Sequence, residues 1–292
     1  MVSLRNWKRG CEMAVGYRRE RIDRGIKARC DDIFALSSYR EVLYLVIPRV
    51  LPVLLLLVIP LAVGTYWAKV IVMASTIAIL ALSWDLMFAA GMISLGQALF
   101  FGVGAYIAGS LNHYLGLSPA FTIPIATIGG GILCTLLLSP VLRLRGIYFA
   151  MVTLALSLMF VRIIEATRIL GGTEGLTALS PLPSLWVEVY LSLTVVLLCL
   201  FGFRRLINTD YGLVLRGIGE NDRAVMSGGI NIYWYKAQTL FVGSAVAAFA
   251  GAFTAHYQMV VGMAAFALDY SILPLAAVVV GGSGTFAGAA LG

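Results

Sequence analysis

Long uncharged apolar runs are the feature that most restricts the fold of this chain. Residues 191–203 and 237–255 contain no charged side chain, and similar runs recur along the sequence. A run of about 20 apolar residues can cross the hydrocarbon core of a bilayer as a helix. In lipid, only helices and closed barrels satisfy their own backbone hydrogen bonds, and these runs lack the alternating hydropathy of barrel strands. The sequence therefore predicts an all-α, polytopic helical membrane protein.

Composition supports this class, because only 12% of the 292 residues are charged and 60% are hydrophobic. Soluble domains carry about 25% charged residues. We predict about eight transmembrane segments, near residues 50–67, 70–90, 92–111, 120–140, 147–167, 186–203, 233–255 and 268–292. Aromatic residues support these spans, since amphipathic rings favour the membrane interface; they include Tyr66, Trp67, Trp186, Tyr233 and Trp234.

The positive charges predict the orientation of the chain. With eight spans, 18 of the 21 Lys and Arg residues fall on the side of the N-terminus. An excess of Lys and Arg marks the cytoplasmic side, so the N-terminus and the loop at 204–232 are predicted to be cytoplasmic. We divide the chain into a basic cytoplasmic N-terminal segment, residues 1–42, and a transmembrane domain, residues 43–292. The basic segment either lies on anionic membrane lipid or is a solvated tail, and no nucleic acid is expected as a partner.

The sequence lacks the motifs of common catalytic and cofactor sites. It contains no GxxxxGK[ST] phosphate loop, no HExxH and no GxSxG, so neither ATP binding by a P-loop nor hydrolase chemistry is predicted. The four cysteines have no CxxC spacing, which argues against a metal site and a disulfide framework. We predict a protein that is not an enzyme, without cofactor or metal. If it transports a solute, the energy comes from elsewhere.

Three polar residues within the predicted spans are candidates for a translocation path. Ser94 and Gln97 are three residues apart, hence on one face of the predicted third helix, and a polar face points at a cavity or at a partner helix rather than at lipid. Asp85 is an intramembrane carboxylate, which is a functional candidate by default. For all three residues the alternative is a structural helix contact.

Two glycine-rich stretches, residues 89–110 and 278–292, lie in separate halves of the chain. Small residues let transmembrane helices approach closely, so we expect the glycines of the first stretch at helix contacts. Paired interrupted segments of this kind also occur in transporters with internal repeats around a solute path.

A polar island, GENDRAVMSGGINIYWYK, separates two apolar runs at residues 219–236. We predict that Asn221 caps a short helix by accepting from the backbone of Arg223 or Ala224. Gly228 or Gly229 is predicted to end this helix in the left-handed conformation. Such a short helix is marginal in water by itself, which favours docking in a partner's groove.

The spacing Arg223-Ala224-Val225-x-x-x-Gly229 resembles the EAA-xxx-G signature of ABC-importer permeases, with Arg for the first Glu and Val for the second Ala. Over residues 80–292 the chain resembles branched-chain amino acid ABC permeases of the LivM type, and this resemblance does not extend to residues 1–40. The resemblance is carried by GMISLGQALFFGVGAYIA, LRLRGIYFAMVTLA, GGTEGL, YGLVLRGIGENDRAVMSGGINIYWYKAQTL, AFAGAFTAHY and VVVGGSGTFAGAALG, in family order.

The resemblance implies a permease subunit of the bacterial inner membrane that moves branched-chain or related small amino acids into the cytoplasm. It implies two ATPase subunits that hydrolyse the ATP, a second, LivH-like permease chain and a periplasmic solute-binding protein. The ATPase-coupling residues would be Glu220, Asn221, Arg223, Ala224, Val225 and Gly229. Family members usually continue past the last glycine-rich stretch, so the chain is expected to be C-terminally short. The alternatives are a urea or short-chain amide permease, an ion-coupled secondary transporter and a membrane scaffold that carries no solute.

Overall fold

The computed structural model describes residue 60 and residues 64–144, 146–167, 170–172 and 174–292. The predicted N-terminal segment 1–42 and most of the predicted first span lie outside them. The described residues form nine α-helices and, apart from one bridge between Leu176 and Val261, no strand pairing. These helices are α1 Thr65–Ala89, α2 Gln97–Leu115, α3 Pro119–Leu138, α4 Ile147–Thr167, α5 Leu185–Ile207, α6 Asp210–Ser227, α7 Ile232–Gln258, α8 Asp269–Gly281 and α9 Ala287–Leu291.

Six segments of the described chain are long and apolar enough to cross a membrane, which confirms the polytopic all-α class. They comprise α1, α3 with the 3-10 turn Ser139–Arg143, α4, α5, α7, and α8 with the preceding turn Met263–Phe266. The predicted third span appears as α2, which has the length of a span but is less apolar than these six. Six candidate spans thus lie among the described residues, and the predicted first span, 50–67, lies mostly outside them.

The centre of the fold is formed by α1, α2 and α7, whose residues are mostly buried. Small residues allow α2 and α7 to touch through their backbones. A Cβ on Gly104 would clash with the backbone of Ala248, and a Cβ on Gly251 would clash with the carbonyl of Phe101. The predicted helix contacts at the glycines of α2 are therefore confirmed.

The outer helices α3, α4, α5 and α8 leave most of their apolar surface uncovered. Their exposed residues include Leu136, Ile147, Met151 and Leu198. An apolar surface of this extent fits a lipid environment. Near the ends of the helices, Trp67 and Trp234 are also exposed, as expected for interfacial rings.

The predicted last span, 268–292, is wrong as one continuous helix. α8 ends at Gly281, and the chain turns at Gly282 and Gly284, whose φ values are 98° and 80°. Glycine adopts this left-handed region without the steric cost of a Cβ. The short α9 then packs back against α8 and α1. The apolar run thus forms a helical hairpin rather than a single crossing.

Candidate functional site

The polar segment, residues 220–229, forms a short helical turn that is separated from the first part of α6 by a break. Asn221 has non-helical φ and ψ angles of −154° and 97°. Its Oδ1 accepts from the backbone N–H groups of Arg223 at 3.1 Å and Ala224 at 3.3 Å. Gly229 has a φ of 78°. The predicted Asn cap and left-handed Gly stop are both confirmed.

One face of the polar segment is free and the other is anchored. Arg223, Ala224 and Met226 are exposed. Asp222 accepts from the ammonium of Lys236 on α7 at 3.1 Å, and both side chains are largely buried. The outward face presents a small residue and a methionine, a surface that another protein can contact closely.

The first part of α6 touches the end of α1. A Cβ on Gly219 would lie 2.9 Å from the carbonyl oxygen of Ala89, and a Cβ on Gly91 would lie 3.1 Å from the Cα of Gly219. A cavity of about 700 Å³ lies beside this contact, and its walls include Asn221 and Gly284. The polar segment is therefore next to both the end of α1 and the turn of the α8–α9 hairpin.

Asp85 holds that turn in place. The side chain is fully buried, and its two carboxylate oxygens accept from the backbone N–H of Gly284 at 2.7 Å and of Phe286 at 3.1 Å. A carboxylate that accepts two backbone donors makes charge-assisted hydrogen bonds, which are stronger than neutral ones. The contacts of Asp85 thus match the structural alternative considered for it from the sequence.

Ser94 and Gln97 do not share a helical face, contrary to the prediction. The helix begins only at Gln97, and residues 90–96 form a non-helical connection after α1. The backbone N–H of Gly96 is held by the Ser94 hydroxyl at 3.1 Å and that of Leu95 by the Thr153 hydroxyl at 3.1 Å. Side-chain hydroxyls that bind the backbone in this way compete with helix formation.

Three consecutive residues of α1 hydrogen-bond the start of α2, the connection before it and the turn of the α8–α9 hairpin. Ser83 hydrogen-bonds Oε1 of Gln97 at 3.0 Å, and the indole N–H of Trp84 donates to the carbonyl of Ser94 at 2.7 Å. The next residue, Asp85, binds the hairpin turn. One turn of α1 therefore contacts both glycine-rich stretches.

Gln97 retains an unused donor inside the fold. The residue is fully buried, and its Nε2 has no hydrogen-bond partner among the described residues. An unpaired buried amide costs about 1–3 kcal/mol. Its placement at the start of α2, beside the broken connection, keeps it a candidate for contact with a polar solute.

A family model described as "Branched-chain amino acid transport system / permease component" matches residues 66–292. The chain belongs to this family. The match begins in α1 and includes every element described above.

Several named permeases resemble the chain. The high-affinity branched-chain amino acid transport system permease protein LivM of Escherichia coli is 31% identical, over 67% of this chain and 53% of the relative. The probable branched-chain amino acid transport permease protein LivM of Methanocaldococcus jannaschii is 29% identical, over 66% of this chain and 63% of the relative. The chain thus spans about half to two thirds of the length of these relatives. No solved structure matches the chain.

Several residues at the candidate site are not predictable from the sequence. Lys236 was counted only as a loop charge, although it pairs with Asp222 inside the fold. Ser83, Trp84 and Thr153 are not evident from the sequence, because their partners lie 14, 10 and 58 residues away, beyond the range of local helix patterns. The one available signal was the LSWDL stretch, whose polar residues interrupt an otherwise apolar span.

Proposed function

We propose that this chain is the membrane-spanning permease subunit of an ATP-binding-cassette importer for branched-chain or related small amino acids. It would take its solute from a periplasmic binding protein and release it into the cytoplasm, across the bacterial inner membrane. Two separate ATPase subunits would hydrolyse ATP, and a second permease chain would complete the path. Family membership and the two similar LivM proteins support this proposal.

The observation that carries the proposal is the polar segment. Its turn is capped at both ends and anchored by the Asp222–Lys236 pair, yet it leaves Arg223, Ala224 and Met226 exposed. A helix this short is marginal by itself in water, and contact with a partner protein would stabilise it. An ATPase groove supplies that partner, and the Gly219–Gly91 contact gives the docked segment a mechanical link to α1.

Movement of the docked segment shifts Gly219 against the end of α1, and α1 carries Ser83, Trp84 and Asp85. These residues hold the connection before α2 and the turn of the α8–α9 hairpin. ATP binding in the partner would thereby reposition two broken segments, which are the parts of a transporter that line its solute site.

The test uses Ala224→Glu and Gly229→Val in the complex with its ATPase subunits. A glutamate at the docked face would bury an uncompensated charge at a cost of about 3–5 kcal/mol, which weakens docking more than a hundredfold at about 1.4 kcal/mol per decade. Valine does not readily adopt the positive φ of Gly229. We expect both variants to reach the membrane in normal amount but to lose the co-purifying ATPase.

The matched control is Ala120→Glu, the same substitution at an exposed alanine near the start of α3, at the other end of the bundle. It should retain the ATPase. Normal ATPase binding and coupled uptake in both segment variants would refute the coupling role. The solute class is read from the same preparation by comparing uptake of leucine with uptake of urea.

A further inference from the structure

An apolar groove with a volume of about 840 Å³ lies on the outer side of the bundle, and none of the transport contacts uses it. It is bounded by α3, the end of α5 and the beginning of α7. Leu136 of α3 and Phe241 of α7 form part of its apolar walls. The space beside Gly202 on α5 is open, since no heavy atom lies within 4 Å of the position a Cβ would take.

The groove runs from the interface into the apolar part of the membrane-spanning bundle. Trp234 lies at its outer end and is exposed, as expected of an interfacial ring. The lining of α7 extends from Trp234 to Val242, which at 1.5 Å per residue corresponds to about 12 Å of depth. A slot of this shape, open to lipid along its length, suits a hydrocarbon chain.

The charge at the groove is positive. Arg205 is the one charged residue among the described residues that line it, and it is exposed. In the described part of the chain the guanidinium of Arg205 forms no ion pair with an acidic side chain. It can bind phosphate oxygens through two parallel hydrogen bonds. Basic pockets between transmembrane helices are sites for anionic lipid headgroups.

We propose that this groove binds one anionic phospholipid, with an acyl chain between α3 and α7 and the headgroup phosphate on Arg205. The charge at the mouth and the apolar walls below it match the two parts of such a molecule. A transmembrane helix of another protein would match the apolar walls but not a single cation at the mouth. The site is independent of the transport function, because it shares no residue with the polar segment or with the α1 contacts.

The chain offers a matched set of variants. Gly202→Trp fills the open side of the groove without changing its charge. Arg205→Gln removes the headgroup cation, whereas Arg204→Gln removes an equally exposed neighbouring cation that does not line the groove. Thermal unfolding of each purified variant checks that the fold is kept.

Native mass spectrometry of the purified full chain, titrated with phosphatidylglycerol in mild detergent, measures the binding. We expect one tightly bound lipid on the unmodified chain. Arg205→Gln should weaken its binding roughly tenfold or more, the factor expected for a lost hydrogen bond to a charged group. Gly202→Trp should also weaken it, because the indole occupies the space of the acyl chain. Arg204→Gln should change it less than threefold, an effect of about 0.6 kcal/mol at most.

Three results would overturn the proposal. Equal binding in all variants would exclude this groove as the site. Equal binding of phosphatidylcholine, which has the same phosphate but no net charge, would exclude selectivity for an anionic lipid. A photo-crosslinking residue at Leu136, which is exposed in the groove, should capture phospholipid in the assembled complex. Capture of a neighbouring permease chain instead would show that the groove is a protein interface.

Discussion

Replacement of Asp85 by asparagine tests the clamp between α1 and the α8–α9 hairpin. The two side chains have nearly the same shape, but asparagine has one acceptor oxygen and places an N–H₂ group against a backbone donor. The amide of Phe286 is buried, so leaving one donor without its acceptor costs about 1–3 kcal/mol. The amide of Gly284 is partly buried and loses less.

We take about 2 kcal/mol for the combined effect, which corresponds to a roughly 30-fold increase in opening of the turn. Hydrogen–deuterium exchange of residues 278–292 in the purified protein measures this opening directly. The protection of the two amides should fall by that factor, while the amides of α7 keep theirs. Asp269→Asn, at an exposed position at the start of α8, is the matched control and should leave the turn protected.

Unchanged exchange at the turn in Asp85→Asn would refute the clamp, and a simultaneous loss of uptake would point to another role for Asp85. Asp85 would then act on the solute or on a coupled ion rather than on the hairpin.

Three further predictions follow from the remaining contacts. In a cysteine-free background, Ser227→Cys should react only with cytoplasmic reagents and Glu174→Cys only with external ones; the reverse pattern would invert the topology. Gln97→Leu should reduce uptake at normal membrane abundance, since it removes the unpaired amide; a loss of uptake that merely follows abundance would indicate a helix contact. Lys236→Met should lower ATPase binding, because it removes the cation beside the largely buried Asp222, and adding Asp222→Asn should restore part of it; no recovery would show that the pair does not position the segment.

Local chemistry made the polar segment predictable. Asn221 and Gly229 act through backbone atoms within three residues or through their own φ angle, so the sequence contains both partners of each interaction. The helices α3, α4, α5 and α7 were likewise predictable, because hydropathy over about 20 residues is a property of the segment alone.

The breaks in the membrane-spanning segments were not predictable from hydropathy. Residues 90–96 and 282–286 are apolar or small, so they extend the neighbouring runs without interruption. Their conformations depend on distant partners: Trp84 and Thr153 for the first break, Asp85 for the second. The prediction that Ser94 and Gln97 share a helical face failed for this reason.

Glycine content predicted that α2 makes close contacts, but not with which helix. Gly104 meets Ala248 and Gly102 meets the ring of Phe266, and neither partner has a sequence pattern that points to α2. The ion pair of Lys236 and Asp222 was also not predictable from the sequence. The two residues lie on different helices and meet only through tertiary packing, next to the break at Asn221.

The proposed function requires that ATP hydrolysis in a partner drives solute through this chain. Its most direct test is leucine uptake into proteoliposomes that contain the chain, the second permease, both ATPase subunits and the binding protein. We predict uptake that requires ATP on the side of the polar segment and is lost in Ala224→Glu. Leucine uptake driven by a proton or sodium gradient without ATP, and unaffected by Ala224→Glu, would contradict the account.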